Sequence, residues 1–337
     1  MSNRVFAAVA FAIALAIVAA SKLIANDYFF SAAYTVLQFV ILATAWNILG
    51  GYTGYVNFGS AAFFATGAYT TVFLVKAYHP PLPVSIVAGT LVAGLLGLVL
   101  GYLTLRLRGV FFAIATLALA VVLFTFVVNW DYVGGARGAY VLQPREVPLG
   151  FPRYIHLLYS TMVLMTALAL VVARAIETST VGRGLAAIRD DELAAECAGV
   201  PTLRLKIFSA TVSGALMGMA GTPFPYYLSY IEPSAAFNLS YAVNSIAMPL
   251  IGGMMSWLGP VIGAVLLGTV QQLVQVTISS AWNLLIVGVL LVLFVTLAPN
   301  GLMGWVEAWR RRHPSRPRTR GRRDTQAKDA GFPPSRE

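Results

Sequence analysis

A chain of 337 residues that is 58% hydrophobic and only 11% charged is not an ordinary soluble domain, in which about 25% of residues carry charge. Its net charge of +10 is mostly local, because eight arginines fall between Arg310 and Arg323. The single cysteine, Cys197, excludes an intrachain disulfide and a cysteine-rich metal site, and His79, His156 and His313 are too scattered to form a metal cluster.

Continuous apolar runs predict an all-α, polytopic integral membrane protein. It has about ten transmembrane helices (eight to ten), since each bilayer crossing takes about 20 apolar residues. The spans are predicted at 4–24, 31–49, 58–77, 84–104, 110–129, 156–176, 205–223, 240–256, 258–279 and 282–298. A membrane β-barrel would instead alternate apolar and polar residues in short segments. The first run, Met1 to Lys22, has one arginine and a small Ala-Ala-Ser ending, like a secretory signal. Its apolar stretch from Val5 to Ile24 is long for a signal core, and a second span follows at once, so it is read as an uncleaved first span.

With both termini cytoplasmic, the inner segments carry 18 lysines and arginines, ten of them in the tail, and the outer segments carry 5. That is the expected bias. None of the thirteen acidic residues falls mid-membrane: Asp27, Asp131, Glu146 and Glu232 lie in outer loops, and the rest lie inside. An ion-coupled secondary transporter keeps an ionisable group within the bilayer as a relay. The chain therefore takes its energy from elsewhere. The outer loop at 130–155, with Gly134, Gly135, Gly138, Pro144 and Pro148, either docks a solute-binding partner or is a solvated connector. Residues 1–308 form the transmembrane domain. Residues 309–337 form a basic tail without apolar periodicity, expected to be disordered beside anionic lipid and not to bind nucleic acid.

The most informative segment runs from Gly182 to Pro201, within a loop at 178–204. Leu185, Ile188, Leu193 and Cys197 recur at helical spacing, Arg189, Asp190, Asp191, Glu192 and Glu196 stand between them, and Gly199 and Pro201 stop the helix. This predicts one short amphipathic helix outside the membrane over 185–198, with an apolar ridge for a partner's groove and charges to orient it. Upstream, Gly50, Gly51, Gly54 and Gly59 surround Thr53 and Asn57. Glycines let helices pack closely. They also let a helix break, which is tolerated at membrane depth only inside protein or beside water. Either reading applies there and at Gly252–Gly263. Thr116, alone in an apolar span, either bonds its own helix or lines a path.

The Gly182–Pro201 segment resembles the coupling loop of ABC importer permeases, through Glu192, Ala194, Ala195 and Gly199. In detail it is similar to the branched-chain amino acid permease family of the LivM/LivH kind, from Gly182 and Arg183 through Leu185, Ala187, Ile188, Arg189 and Asp190 to Glu192. Three further blocks carry the same resemblance: Gly51–Tyr69, Leu105–Leu117, and Gly252-Gly253 followed by Gly259-Pro-Val-Ile-Gly263-Ala264. Asn57 stands where the family usually has serine, Ser60 where histidine is common, Val121-Val122 near a frequent acidic position, and Met254-Met255 in place of a smaller pair.

The resemblance implies an ABC importer permease fold in the cell inner membrane and a path for leucine, isoleucine and valine. Urea, short amides or another small organic solute are the alternative cargo. It implies a second related permease subunit, two ABC ATPase subunits at the cytoplasmic face and an extracytoplasmic solute-binding protein. The expected ATPase-coupling residues are Gly182, Arg183, Leu185, Ile188, Arg189, Asp190, Asp191, Glu192, Ala195 and Gly199. The expected translocation path comprises Gly51, Thr53, Gly54, Asn57, Gly59, Thr116, Gly252 and Gly253. The sequence has no Gly-x-x-x-x-Gly-Lys-(Ser/Thr) motif, so ATP and magnesium belong to the partner subunits and this chain is expected to hold no cofactor. It also lacks paired carboxylates or a serine–histidine–aspartate set for catalysis, including on lipid.

Overall fold

The computed structural model describes residues 2–22, 26–104, 109–144, 147 and 151–277, and beyond them 285, 288, 289, 292, 293, 296 and 301–304. Through residue 277 the described chain folds into thirteen α-helices. The first five are α1 (Asn3–Ser21), α2 (Asp27–Thr53), α3 (Ser60–Tyr78), α4 (Leu82–Thr104) and α5 (Val110–Val128). After a long connection come α6 (Tyr154–Glu177), α7 (Thr180–Asp190), α8 (Glu192–Cys197) and α9 (Thr202–Gly221). Short α10 (Phe224–Leu228) and α11 (Pro233–Ala236) precede α12 (Leu239–Gly252) and α13 (Leu258–Thr277). The predicted span at 282–298 lies largely outside the described residues, as does the tail from 309.

Among the described residues, six helices are long and apolar enough to cross a membrane: α1, α2, α4, α5, α6 and α13. The other predicted spans differ for physical reasons. Both α3 and α9 have the length, but α3 carries Thr66, Thr70, Thr71 and Lys76, and α9 carries Arg204 and Lys206. Helix α3 packs against α4 and α9, and α9 against α2 and α4, so much of their surface meets protein and tolerates polarity. The predicted span at 240–256 ends early, because α12 stops at Gly252 and Gly253 takes φ 116° to open a turn. Fourteen residues make a helix of about 21 Å at 1.5 Å per residue, short of a hydrocarbon core of about 30 Å.

The core is built around α2. Every residue from Gln38 to Thr53 is buried, as expected of a helix that is apolar on all sides and surrounded by others. The outer helices are the reverse. In α5 only Phe112, Thr116 and Val127 are buried, and Phe111, Ile114, Val121, Val122 and Phe126 face outward. Close packing fixes the interior: a methyl group at Gly67 of α3 would overlap the Gly218 carbonyl of α9, and one at Gly252 would overlap the Gly259 carbonyl across the α12–α13 turn. Small residues at such crossings let backbones touch where no hydrophobic effect drives helices together.

At one end of the bundle, the connection after α5 forms two 3-10 turns and strand β1 (Ala139–Tyr140), which pairs antiparallel with β2 (Tyr230–Ile231). Gln143 also donates to the Tyr226 carbonyl at 2.8 Å, and Lys76 to the Tyr132 carbonyl at 3.1 Å. This connection is thus tied down on the bundle at several points.

Candidate functional site

The chain breaks between α2 and α3. Gly54 adopts φ 78° after Thr53, and residues 55–58 run without helical bonds. A break inside protein must find partners for its freed backbone groups. Here Trp46 Nε1 donates to the Asn57 carbonyl at 2.8 Å, the Gly59 N–H donates to Asn57 Oδ1 at 2.7 Å, and the Phe58 N–H donates to Thr116 Oγ1 at 3.1 Å. Thr116 also donates to the Ala113 carbonyl of its own helix, and Thr53 to the Leu49 carbonyl. The oxygens of Thr53, Asn57 and Thr116 therefore hold the break in shape, and all three residues are buried. Replacing Trp46 by phenylalanine leaves the Asn57 carbonyl without that donor and is expected to cost about 1–3 kcal/mol, read as a lower thermal unfolding midpoint in detergent.

The expected path residues lie close together. Gly59 sits against the Thr116 carbonyl, and Gly51 against the Met254 carbonyl that follows Gly252 and Gly253. Among them, Gly51 and Gly252 admit no methyl group without displacing backbone, which is the packing use of glycine.

The segment after α6 departs from the expected single helix. Ser179 caps α7 by accepting the Gly182 N–H at 3.2 Å. One face of α7 buries Gly182, Leu185 and Ile188. At Asp191 the helix stops, with φ −160° and ψ 110°, and the Asp191 carboxylate accepts the N–H groups of Leu193 and Ala194 at 2.9 and 3.1 Å. Aspartate competes well for backbone N–H groups and favours such caps, so α8 starts afresh in a new direction. It ends at Gly199, φ 82°, with Gly199 N–H bonded to Glu196 O and Val200 N–H to Ala195 O. This is a paired left-handed cap that favours glycine. The predicted ridge is divided as a result: Leu185 and Ile188 are buried in the chain's own core, whereas Leu193 and Cys197 are exposed. Arg183, Asp190, Asp191 and Glu196 share the exposed surface.

Two inward contacts join this helix pair to the break. The Arg189 side chain rests against Gly54, and its guanidinium reaches Asp190 Oδ1 at 3.3 Å, the Gly51 carbonyl at 3.5 Å and Met255 Sδ at 2.8 Å. A cation is favourable at the C-terminus of a helix such as α2. The second contact escaped the sequence reading. Lys206, 3% exposed, pairs with Glu192 at 2.7 Å beside Tyr55. In the sequence Lys206 is one more cation near a membrane face. Its place among Leu205, Ile207 and Phe208 was the local sign that it would be carried inside.

A third junction lies nearby. Glu177, at the end of α6, accepts from the Trp257 N–H at 2.6 Å and from the Tyr52 hydroxyl at 3.2 Å. Arg174 lies over the Phe6 ring at 4.3 Å and the Trp257 ring at 5.4 Å, so α1 is pinned to the same corner.

The described chain is thus a helical bundle with apolar outer helices and a small charged helix pair packed against the break between α2 and α3. The chain belongs to the family described as branched-chain amino acid transport system / permease component, whose pattern matches residues 28–295. This is a family of ABC transporter permease subunits, which are not enzymes themselves. The chain is 28% identical to the high-affinity branched-chain amino acid transport system permease protein LivM of Salmonella typhimurium, over 79% of this chain and 67% of that one. It is 25% identical to the probable branched-chain amino acid transport permease protein LivH of Methanocaldococcus jannaschii, over 79% and 88%. It is also 27% identical to the L-arabinose ABC transporter permease protein AraH of Azospirillum brasilense, over 72% and 71%. No solved structure matches it.

Proposed function

We propose that this chain is the transmembrane permease subunit of an ABC importer for branched-chain amino acids, driven by separate ATPase subunits. The observation that carries the reading is the α7–α8 pair. Its inner face is bonded to the broken α2–α3 segment through Arg189 and Lys206, while Leu193, Arg183 and Glu196 stay exposed for a partner. In this reading the chain crosses the membrane about eight to ten times, with α7, α8 and both termini cytoplasmic. The ATPase subunits, which hold ATP and magnesium, press on α7 and α8. A second permease subunit completes the path, whose wall includes the α2–α3 break and the Gly252–Gly253 turn. A solute-binding protein delivers cargo at the opposite face, where the β1–β2 connection lies. Such a machine needs an element with two arrangements that the ATPases bias, and α7–α8 is the element placed to serve.

The test is ATP-dependent uptake of labelled leucine into vesicles carrying this chain with its ATPase, permease and solute-binding partners. Uptake that isoleucine and valine compete, and urea and arabinose do not, is the expected result. Uptake of arabinose or urea instead would retain the importer and replace the cargo. Uptake that persists without the ATPase subunits would overturn the reading in favour of an ion-coupled carrier.

A further inference from the structure

Three groups from three separate elements close a triangle at the base of the α2–α3 break. Lys206 Nζ, on the first turns of α9, lies 2.7 Å from Glu192 Oε1 and 3.2 Å from the Tyr55 hydroxyl. That hydroxyl donates to Glu192 Oε2 at 2.5 Å, and the ammonium sits 4.8 Å from the centre of the Tyr55 ring. Glu192 is the first residue of α8, and Tyr55 stands in the extended segment between α2 and α3. Lys206 is almost fully buried and Glu192 nearly so, with side-chain exposures of 4% and 13%. A buried ion pair is a poor way to gain stability, since well-packed apolar residues in its place are often as stable or more so. Its better-attested use is to fix one arrangement against another.

The surroundings of α8 give that use a direction. The other half of the pair, α7, is anchored by Leu185 and Ile188 in the core. By contrast α8 is set off at both ends, by the cap at Asp191 and the turn at Gly199, and buries only Ala195. It is a short helix between a cap and a turn, with Leu193 and Cys197 outward. The triangle ties its first residue to the interior. We infer that Lys206 is a positioning residue for transport: with Glu192 and Tyr55 it passes a displacement of α8 to the α2–α3 break. The inference rests on the permease reading above and adds to it the residue through which force arrives.

The experiment reads motion and not uptake, so it does not depend on the identity of the cargo. A spin label is placed on Cys197, the chain's only cysteine, or, in a Cys197→Ala background, on Val56→Cys, an exposed position beside Tyr55. Label mobility is recorded in the assembled complex with and without ATP. In the otherwise unaltered chain both labels are expected to respond. In Lys206→Met/Glu192→Met, which leaves neither charge unpaired, the Cys197 label is expected to respond as before and the Val56 label several-fold less. The single variant Lys206→Arg, with Glu192 in place, is expected to keep the Val56 response. An undiminished Val56 response in the double variant overturns the inference, and so does its absence in the unaltered chain. A Cys197 label that ignores ATP in the unaltered chain overturns the prior reading that α8 receives the ATPases, and the inference falls with it.

Discussion

Gly67→Leu is expected to leave almost no folded protein to extract from the membrane. At this point α3 crosses α9 with backbone against backbone, and even a methyl group on Gly67 would overlap the Gly218 carbonyl. The obstruction cannot be relieved by a rotamer change, because the atom it meets belongs to the main chain. Nor can α9 simply step away, since Gly218 is itself closed in by Ala93 of α4, and Gly221 faces the Phe64 carbonyl of α3. Overpacking a tight core by a few methylenes costs about 1–3 kcal/mol where side chains can shift. A leucine against two fixed backbones should exceed that range, and packing is the principal force holding these helices together in lipid. The check is the monodisperse fraction by size exclusion after detergent extraction. Leu98→Ala, on an outward face of α4, should change it little.

Arg189→Glu has the second largest expected effect, and it falls on transport and not on folding. The guanidinium lies only partly exposed against the last turn of α2, with the Gly51 carbonyl and Met255 around it. A carboxylate there would face the negative end of the helix and stand next to Asp190. The chain should still insert, since Leu185 and Ile188 continue to anchor α7. Uptake per inserted molecule should fall about tenfold or more, equivalent to about 1.4 kcal/mol or more in the coupled step. Gly199→Pro should act similarly, because proline is held near φ −65° and cannot adopt the φ of 82° that closes α8 or supply the N–H bonded to Glu196. Normal uptake by both variants would mean that α7 and α8 do not carry the signal.

Much of this fold was legible because helices written for lipid announce themselves as unbroken apolar runs. The first seven predicted spans each overlap a long helix, from Asn3–Ser21 to Thr202–Gly221. Errors arose where one residue's backbone decided the outcome. Met254, Met255 and Trp257 look like helix interior, yet they follow Gly253 at φ 116° and form a turn. Asp191 looked like one charge among several on a helix surface, but its carboxylate found the next two N–H groups and split the helix. The candidate site was legible in part. For Thr116 the sequence leaves two readings, a bond to its own helix or a place on a path; it does bond its own helix, and its second bond, to Phe58, lies 58 positions away. Lys206 and Tyr55 are 151 positions apart, and nothing local to either signals the other. Pairings of that kind come from the arrangement of whole helices, and one sequence does not display them.

The corner where Phe6, Arg174 and Trp257 meet bears on the order in which the protein is made. Helix α1 lies outside the 28–295 family match, and it is held by α6 and by the turn before α13. Residues Phe30 and Leu37 of α2 share a small cluster with Ala14, but the larger docking surface, on α6, begins at Tyr154, roughly 130 residues after α1 ends, so at about 5–20 residues per second α1 waits on the order of ten seconds for it. A helix in that position must be content with lipid over most of its surface. Among its residues only Ala14 and Ser21 are buried in the finished protein, and its outward positions include Val5, Val9, Ile13, Leu15 and Ile17. Its composition suits the interval before assembly as well as the assembled state, and the contact between Phe6 and Trp257 becomes available only once the turn before α13 has been made.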